Sequence, residues 1–286
     1  LSMLDFQHAS NISDHLLTVM DSISDITLRD ELSALNHMVK KLEQQDSTYG
    51  DFLKLSEKTH YTIQKSIAKL GLTTEVQELI KSSVKLSMET IKKLPALEEL
   101  VGKLNVNPEN YISTHSILLG HIAGSIAIRL NWSSQLTLYK LSLAAFLHDI
   151  TIQNPEHAKV KVQRDLHPLR GNVSDAVYLE VVRHPQDCAK LVSEMRQIPP
   201  DVDRIVLEHH EWPEGQGFPN ARSVLELSPL SCVFIFAHVL VDDILETYQK
   251  SAGFDALYRH QASGFSRGLF KKIFTVMAGY SPAIGK

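Results

Sequence analysis

The hydrophobic positions along the chain follow a helical period in most segments. Between residues 28 and 42, apolar side chains recur in steps of four and three, which is the spacing of a heptad seam. The seam consists of Leu28, Leu32, Leu35, Val39 and Leu42. It fits either a helix packed inside the chain's own bundle or a contact between two copies of the chain.

A second amphipathic helix is predicted between residues 73 and 94. Thr74 and Gln77 have the spacing of a capping box at its start. One face of this helix is apolar along its whole length. Its residues are Val76, Ile80, Val84, Met88 and Ile91.

Helix-breaking residues then interrupt the pattern. They are Pro95, Gly102 and the sequence NVNP at 105–108. We therefore predict two regions, a smaller helical N-terminal accessory or regulatory region at 1–105 and a second helical domain at 106–286.

The second half of the chain places histidines on apolar helical faces. A helix is predicted from Asn107 to about Leu130. One side of it carries Ile112, His115, Leu119, Ile122 and Ile126. The next helix is nearly uncharged and ends with His148 and Asp149. A carboxylate at the end of such a buried helix needs a charge partner or a metal ion.

Three more histidines follow further along the chain. Pro185 is expected to push His184 out of helical geometry, so that His184 caps the next helix. His209 shares a helical face with three apolar residues, and His210 lies about 100° further round the same helix. Those apolar residues are Val202, Ile205 and Val206. Strand signals are scarce, and the predicted fold class is all-α.

The composition of the chain excludes some classes of partner and indicates a compartment. The chain has 14 histidines, nine of them between positions 115 and 238. The net charge is −4 and no dense Lys/Arg stripe occurs, so nucleic-acid binding is not expected. Cys188 and Cys232 have no metal or disulfide spacing, which favours a reducing cytoplasm. The apolar run around His238 is too short to cross a bilayer, and no membrane partner is expected.

The polar groups on apolar faces predict a metal site. Neutral imidazole is the commonest metal ligand, and a carboxylate can bridge two ions. One aspartate with several histidines suits Fe, Mn, Zn or Ni better than Ca or Mg. A single such histidine is more often a satisfied core residue, but chance is a poor explanation for six groups. The six are His115, His148, Asp149, His184, His209 and His210.

The order of these motifs resembles the HD-GYP family, a branch of the HD phosphohydrolases. The resemblance covers about 106–286 and rests on four short sequences: HS at 115–116, FLHDI at 146–150, HP at 184–185 and HHEWPEGQGFP at 209–219. It implies an HD-type helical bundle with a multinuclear metal site. It also implies a cyclic di-GMP phosphodiesterase of bacterial signalling, which is a phosphoric diester hydrolase.

The resemblance further implies two divalent transition-metal ions, with Fe favoured and Mn or another metal as the alternative. The first ion would take His115, His148, bridging Asp149 and His238, which stands at the family's late aspartate position. Asp242 is the alternative fourth ligand. The second ion would take Asp149, His184, His209 and His210. Tyr111 stands where some members have a glutamate that binds a third ion, so we predict two ions and not three.

His148 and Asp149 are the predicted catalytic residues. Water between two cations loses a proton near neutral pH, and the resulting hydroxide would attack the phosphodiester. The substrate would be cyclic di-GMP or a related dinucleotide. The loop after the histidine pair is expected to lie over it, with Phe218 stacking on a base. The predicted substrate-binding residues are Trp212, Gly215, Gly217 and Phe218.

The chain departs from the family pattern at several positions. Ile152 replaces a lysine, Trp212 an arginine and Phe218 the tyrosine of GYP. Each lost polar contact would cost about 1–3 kcal/mol in the transition state, so weak activity is expected. Lys at position 152 together with Tyr at position 218 is predicted to raise it. The alternative is a catalytically degenerate metal- and nucleotide-binding receptor or adaptor. Its N-terminal helices would carry the output, through a protein partner or through self-association at the 28–42 seam.

Overall fold

The structure is a computed structural model, and the regular elements of its described residues are helices. Among the residues that it describes there is no β-strand, so the predicted all-α class is confirmed. The described residues are 3–44, 48–93, 111–152, 154, 156–160, 166, 169–250, 265 and 267–278.

The first three helices pack together at the N-terminal end. They are α1 (Met3–Gln44), α2 (Tyr49–Leu70) and α3 (Thr74–Lys93), and α1 contacts both of the others. The heptad seam of α1 is buried in this bundle, with Leu32, Leu35 and Val39 each 1% exposed. The bundle interpretation is therefore right, and self-association through this face is not supported because the chain's own helices cover it. Self-association through other N-terminal surfaces stays a prediction.

The start of α3 differs by one residue from the predicted capping box. The side chain of Thr73, and not of Thr74, accepts a hydrogen bond from the backbone N–H of Val76 (3.4 Å). Gln77 donates back to the carbonyl of Leu72 (3.0 Å) and so closes the cap from the other side. The apolar face is buried as predicted, at Val76, Ile80, Val84 and Met88, whereas the side chain of Ile91 lies outside the described part.

Helix α4 (Tyr111–Arg129) forms the centre of the second region. It packs against α5 (Gln135–Leu147) and also against α2 and α3. Among the described helices, α4 is the one long and apolar enough to cross a membrane, but 89% of that stretch is buried inside the protein. Its predicted start and the predicted domain boundary both lie outside the described residues.

The remaining helices surround α4 and α5. They are a 3-10 turn (His157–Lys159), α6 (Asp175–Glu194), α7 (Val202–Glu208), α8 (Pro229–Lys250) and α9 (Gly268–Ala278). Helix α6 packs on α7, α7 on α5 and α8, and α9 on α8 and α4. One hydrophobic core extends from Leu32 to Ile273, so the N-terminal helices share their core with the second half of the chain.

The prediction that Pro185 displaces His184 from helical geometry is wrong. Helix α6 continues through Pro185, and His184 lies within it. A proline lacks the N–H that would bond the carbonyl four residues earlier, here Val181. That carbonyl accepts a hydrogen bond from Nδ1 of His184 (2.7 Å), so the helix continues without an unsatisfied buried acceptor.

Candidate metal centre

The seven predicted ligand side chains converge at the centre of the second region. They come from α4, from α6, from α8 and from the ends of α5 and α7, and each is at most 2% exposed. Within the described residues their ligand atoms form two groups, each with all atoms within 4.8 Å of one another. The first group is His115, His148, Asp149 and His238, and the second is Asp149, His184, His209 and His210.

Asp149 lies between the two groups and belongs to both. Its Oδ2 is 3.1 Å from Nε2 of His148. Its Oδ1 is 3.3 Å from Nε2 of His184 and 3.7 Å from Nε2 of His209. One carboxylate oxygen therefore faces each group, which is the arrangement of a carboxylate that bridges two cations.

Backbone carbonyls fix the tautomer of three of these histidines. A carbonyl can only accept, so the Nδ1 atom that contacts it must carry the hydrogen. The bonds are His148 to Ala145 (2.9 Å), His184 to Val181 (2.7 Å) and His209 to Val206 (2.6 Å). In the neutral ring, Nε2 then has the lone pair and is directed at the centre, as in histidines that ligate metals.

The spacing of two of these lone pairs fits a bound cation. The Nε2 atoms of His184 and His209 are 3.1 Å apart, although neither carries a hydrogen in this tautomer. Two facing lone pairs repel each other unless a proton or cation lies between them. Two imidazole nitrogens bound to one ion at about 2.1 Å, with an angle of about 90–110°, would lie about 3.0–3.4 Å apart. The donor set therefore fits a divalent transition metal.

A buried carboxylate, Asp242, contacts two histidines of the first group. Oδ1 of Asp242 lies 3.0 Å from Nε2 of His115, and its Oδ2 lies 3.3 Å from Nδ1 of His238. Nε2 of His238 is buried and has no hydrogen-bond partner among the described residues. Asp242 lies one helical turn beyond His238 and contacts two predicted ligands. Its position is consistent with either an orienting or a ligating role.

The protonation states suit metal binding. Burial lowers the pKa of His209 to about 3 and of His238 to about 4, so both rings are neutral at pH 7. Burial alone would raise the pKa of Asp149. The surrounding histidines, His148 above all, outweigh that effect and lower the pKa of Asp149 well below its usual value. Neutral His209 and His238 beside an ionised Asp149 are in the forms that bind a cation.

Tyr111 borders the first group. Its ring stacks on His115 with 5.8 Å between the ring centres, and Nζ of Lys159 lies 5.2 Å from the Tyr111 ring centre. Burial and the carboxylates of Asp242 and Asp149 raise the pKa of Tyr111 well above its usual value, so the phenol is neutral. Tyr111 thus adds no negative charge for a third cation, and the two-ion count stays a prediction.

The loop after the histidine pair folds back onto the pair itself. A Cβ at Gly217 would lie 2.3 Å from the backbone N of Trp212 and 2.4 Å from the carbonyl oxygen of His210. Gly215 has a φ of +74°, and a Cβ there would lie 3.1 Å from the carbonyl oxygen of Ala221. Both glycines are therefore required by the loop's own fold. Their predicted contact with substrate stays a prediction.

Two buried glutamates, missed by the sequence analysis, hold this loop. Glu211 accepts hydrogen bonds from the backbone N–H groups of Asn220 (2.8 Å) and Arg222 (2.7 Å). Glu208 accepts from Nε of Arg204 (2.9 Å) and from the guanidinium of Arg222. The sequence does contain a pattern that could have identified these two glutamates, because acidic residues directly flank the histidine pair in EHHE. They fix the ends of the loop and with it the position of His210.

The aromatic residues of the loop pack inward. Phe218 is 3% exposed and stacks on His210, with 4.5 Å between the ring centres and 17° between the planes. Trp212 is half-buried and packs against Phe265. Phe218 thus supports a predicted ligand, and a base could reach this ring only if the loop moved. The role of both residues in substrate binding stays a prediction.

Position 152 is less open to substitution than the sequence suggests. Ile152 is fully buried, and its carbonyl accepts a hydrogen bond from the side chain of Gln64 on α2. A lysine at this position would place a charge in the apolar core, which is costly without a partner. The expectation that Lys at position 152 raises activity is therefore not supported by this packing.

Comparison with known proteins identifies relatives of this chain. Residues 112–240 match the family model described as HD domain. A cyclic di-GMP phosphodiesterase of Pseudomonas aeruginosa is 26% identical over 164 residues, which are 57% of this chain and 37% of that protein. Together with the solved structure described next, these findings support a member of the HD-GYP family, as the motifs predict.

The fold has a counterpart among solved structures. An HDG"Y"P protein from Bdellovibrio bacteriovorus superposes with a TM-score of 0.55 and 16% sequence identity. The match covers 84% of this chain and 77% of the other. At this identity the likeness shows a shared fold. This chain spans little more than a third of the length of the Pseudomonas relative, so that protein's activity enters only the proposal below.

Proposed function

We propose that this chain is a metal-dependent phosphodiesterase that acts on cyclic di-GMP or a related cyclic dinucleotide. The observation that carries the proposal is the position of Asp149, with one oxygen facing each of two buried histidine groups. The name of the Pseudomonas relative, a cyclic di-GMP phosphodiesterase, supports the substrate class.

The chain's own residues hold and orient the centre. Asp149 would bind both ions, and His148, His184 and His209 would each present Nε2 because Nδ1 is occupied by a carbonyl. Two bound cations would supply charge neutralisation at the phosphate and a water of lowered pKa. Burial of all seven side chains excludes bulk water, which strengthens every electrostatic contact inside the site.

We further propose two ions per chain, with Fe favoured over Mn and other divalent metals. The mixed His and Asp donor set supports a transition metal over Mg or Ca. A cytoplasmic location is also proposed, and both cysteines support it. Cys188 and Cys232 are free and buried, so neither is positioned for a disulfide.

A second candidate is a metal- and nucleotide-binding receptor with little or no turnover. Three departures favour it: Ile152 is buried where the family has lysine, Phe218 lacks the tyrosine hydroxyl, and Trp212 lacks a charge. The hydrogen bond between Gln64 and the Ile152 carbonyl links α2 to the segment directly after Asp149. Nucleotide binding could thus be communicated to the N-terminal helices.

The experiment is a product assay on metal-loaded full chain with cyclic di-GMP. We expect slow conversion to the linear dinucleotide or to GMP, which is abolished by a chelator and by Asp149→Asn. Calorimetric binding without product would instead support the receptor. Absence of both binding and product would contradict both candidates.

A further inference from the structure

We infer that Pro185 is a positioning residue for the metal centre: its missing N–H reserves the Val181 carbonyl for His184. Proline in the interior of a helix is ordinarily destabilising, because it removes one backbone hydrogen bond and its ring crowds the carbonyl four residues earlier. Here the carbonyl that loses its partner is the one that receives Nδ1 of His184, at 2.7 Å.

The two other carbonyl-bound histidines of the metal centre find their acceptors at helix ends. Helix α5 ends at Leu147 and α7 ends at Glu208, so His148 and His209 directly follow a helix end. The last carbonyls of a helix have no helical donor and are free to accept a side chain. The carbonyls of Ala145 and Val206 are of this kind.

His184 has no helix end nearby. It lies in the middle of the 20-residue α6, where each carbonyl normally receives the N–H four residues later. Pro185 is the residue that should donate to Val181, and it has no N–H. The proline thus creates inside a helix the same free carbonyl that the two other histidines find at helix ends.

The hydrogen bond determines where the ring points. With Nδ1 held by Val181, Nε2 of His184 lies 3.3 Å from Oδ1 of Asp149 and 3.1 Å from Nε2 of His209. Alanine at position 185 would bring a second donor, its N–H, to the Val181 carbonyl. Because the carbonyl would then be shared, the bond from Nδ1 would weaken and the ring would be held less firmly in its tautomer and direction.

The test is Pro185→Ala in the full chain, titrated metal-free with Zn²⁺ by calorimetry. We expect binding at the second group to weaken by about 10–100-fold, the usual effect of removing a partner of a ligand histidine. The melting temperature of the metal-free protein should stay the same or rise, because alanine favours the helix interior. Opposite effects on metal affinity and on stability separate positioning from general structural damage.

Two variants calibrate the test. Pro229→Ala makes the same chemical change at the first position of α8, where the N–H has no helical partner, and should leave Zn²⁺ affinity unchanged. His184→Ala gives the loss expected when the ligand itself is removed. An unchanged affinity in Pro185→Ala would overturn the inference, and so would an affinity loss accompanied by a lower melting temperature.

A measurement on the unmodified protein keeps the inference testable if the variant does not fold. Nitrogen-15 NMR of the metal-free protein should show His184 with hydrogen on Nδ1, and the tautomer with hydrogen on Nε2 would overturn the inference. The inference rests on the proposed metal site. Wild-type protein that binds no Zn²⁺ would reject the site and the inference together, whereas normal wild-type binding with normal Pro185→Ala binding would reject the inference alone.

Discussion

The two halves of the metal centre differ in what contacts their histidines, although a backbone carbonyl also holds one histidine of the first group, His148. In the first group, the carboxylate of Asp242 contacts His115 and His238. In the second group, His184 and His209 are held by backbone carbonyls. A carboxylate adds a full negative charge beside its ion, whereas a carbonyl adds only a dipole. We therefore expect the first group to bind a cation more tightly than the second, and a single side-chain substitution to disable it selectively.

The largest effect is expected where the two halves meet. Asp149→Asn keeps the shape of the side chain but removes the negative charge that both groups share. We expect metal content to fall below one ion per chain. Turnover should drop by about 10³-fold, because the transition state would lose several kcal/mol of charge stabilisation. Elemental analysis and the product assay measure this. A variant that keeps two ions would show that the groups do not depend on Asp149.

Substitution of Asp242 should change metal binding in the first half of the metal centre and not in the second. Asp242→Asn is expected to weaken the first ion by about 10–100-fold and to leave the second ion unchanged, because Asp242 contacts two histidines of the first group, His115 and His238. His238→Ala is the matched variant and should also lose only the first ion. If His238→Ala keeps full metal content while Asp242→Ala halves it, Asp242 is the ligand and His238 is not.

The second half should be sensitive to backbone changes in the loop. Gly217→Ala places a Cβ 2.3–2.4 Å from the backbone of residues 210–212, which cannot move aside as a flexible side chain could. We expect the free energy of unfolding to fall by about 3 kcal/mol and the second ion to be lost. Gly171→Ala is the control, since a Cβ there meets nothing within 4 Å. Equal stability of the two variants would contradict the folded-back loop.

The smallest effect is expected at the aromatic residue that covers the second group. Phe218→Tyr adds a hydroxyl to a buried ring that stacks on His210. Because the ring is buried against His210, we expect the hydroxyl to recover only part of the about 1–3 kcal/mol of such a contact and to raise turnover by about tenfold or less. Steady-state rates with cyclic di-GMP measure this. A rise of several hundredfold would mean that the missing hydroxyl is the main reason for weak activity.

Much of the helical architecture could be predicted from the sequence. The apolar period of α1 identified the face that is buried, and His115 on the stripe of α4 pointed into the core. The apolar pattern could not distinguish a seam of α1 that packs inside the same chain from one that contacts a second copy. Periodicity specifies which face is buried and carries no information about the partner that covers it.

The orientation of the site could not be predicted in the same way. Residue types and spacing indicated the ligands, but the carbonyl bonds of His148, His184 and His209 depend on where helices end and on one proline. The sequence interpretation of Pro185 failed because it applied the usual preference of the residue before proline, whereas a side-chain donor inside α6 compensated for the lost backbone bond. Long-range contacts such as Gln64 to Ile152 leave no local signal at all.

The most direct test of the account is an anomalous-scattering map of crystals loaded with one transition metal. We predict two peaks, one in each histidine group, with the carboxylate of Asp149 between them and His115, His148 and His238 around the first. The second peak should be the weaker one at limiting metal. A single peak, or a third well-occupied peak with Tyr111 at coordination distance, would contradict the two-ion centre proposed for this chain.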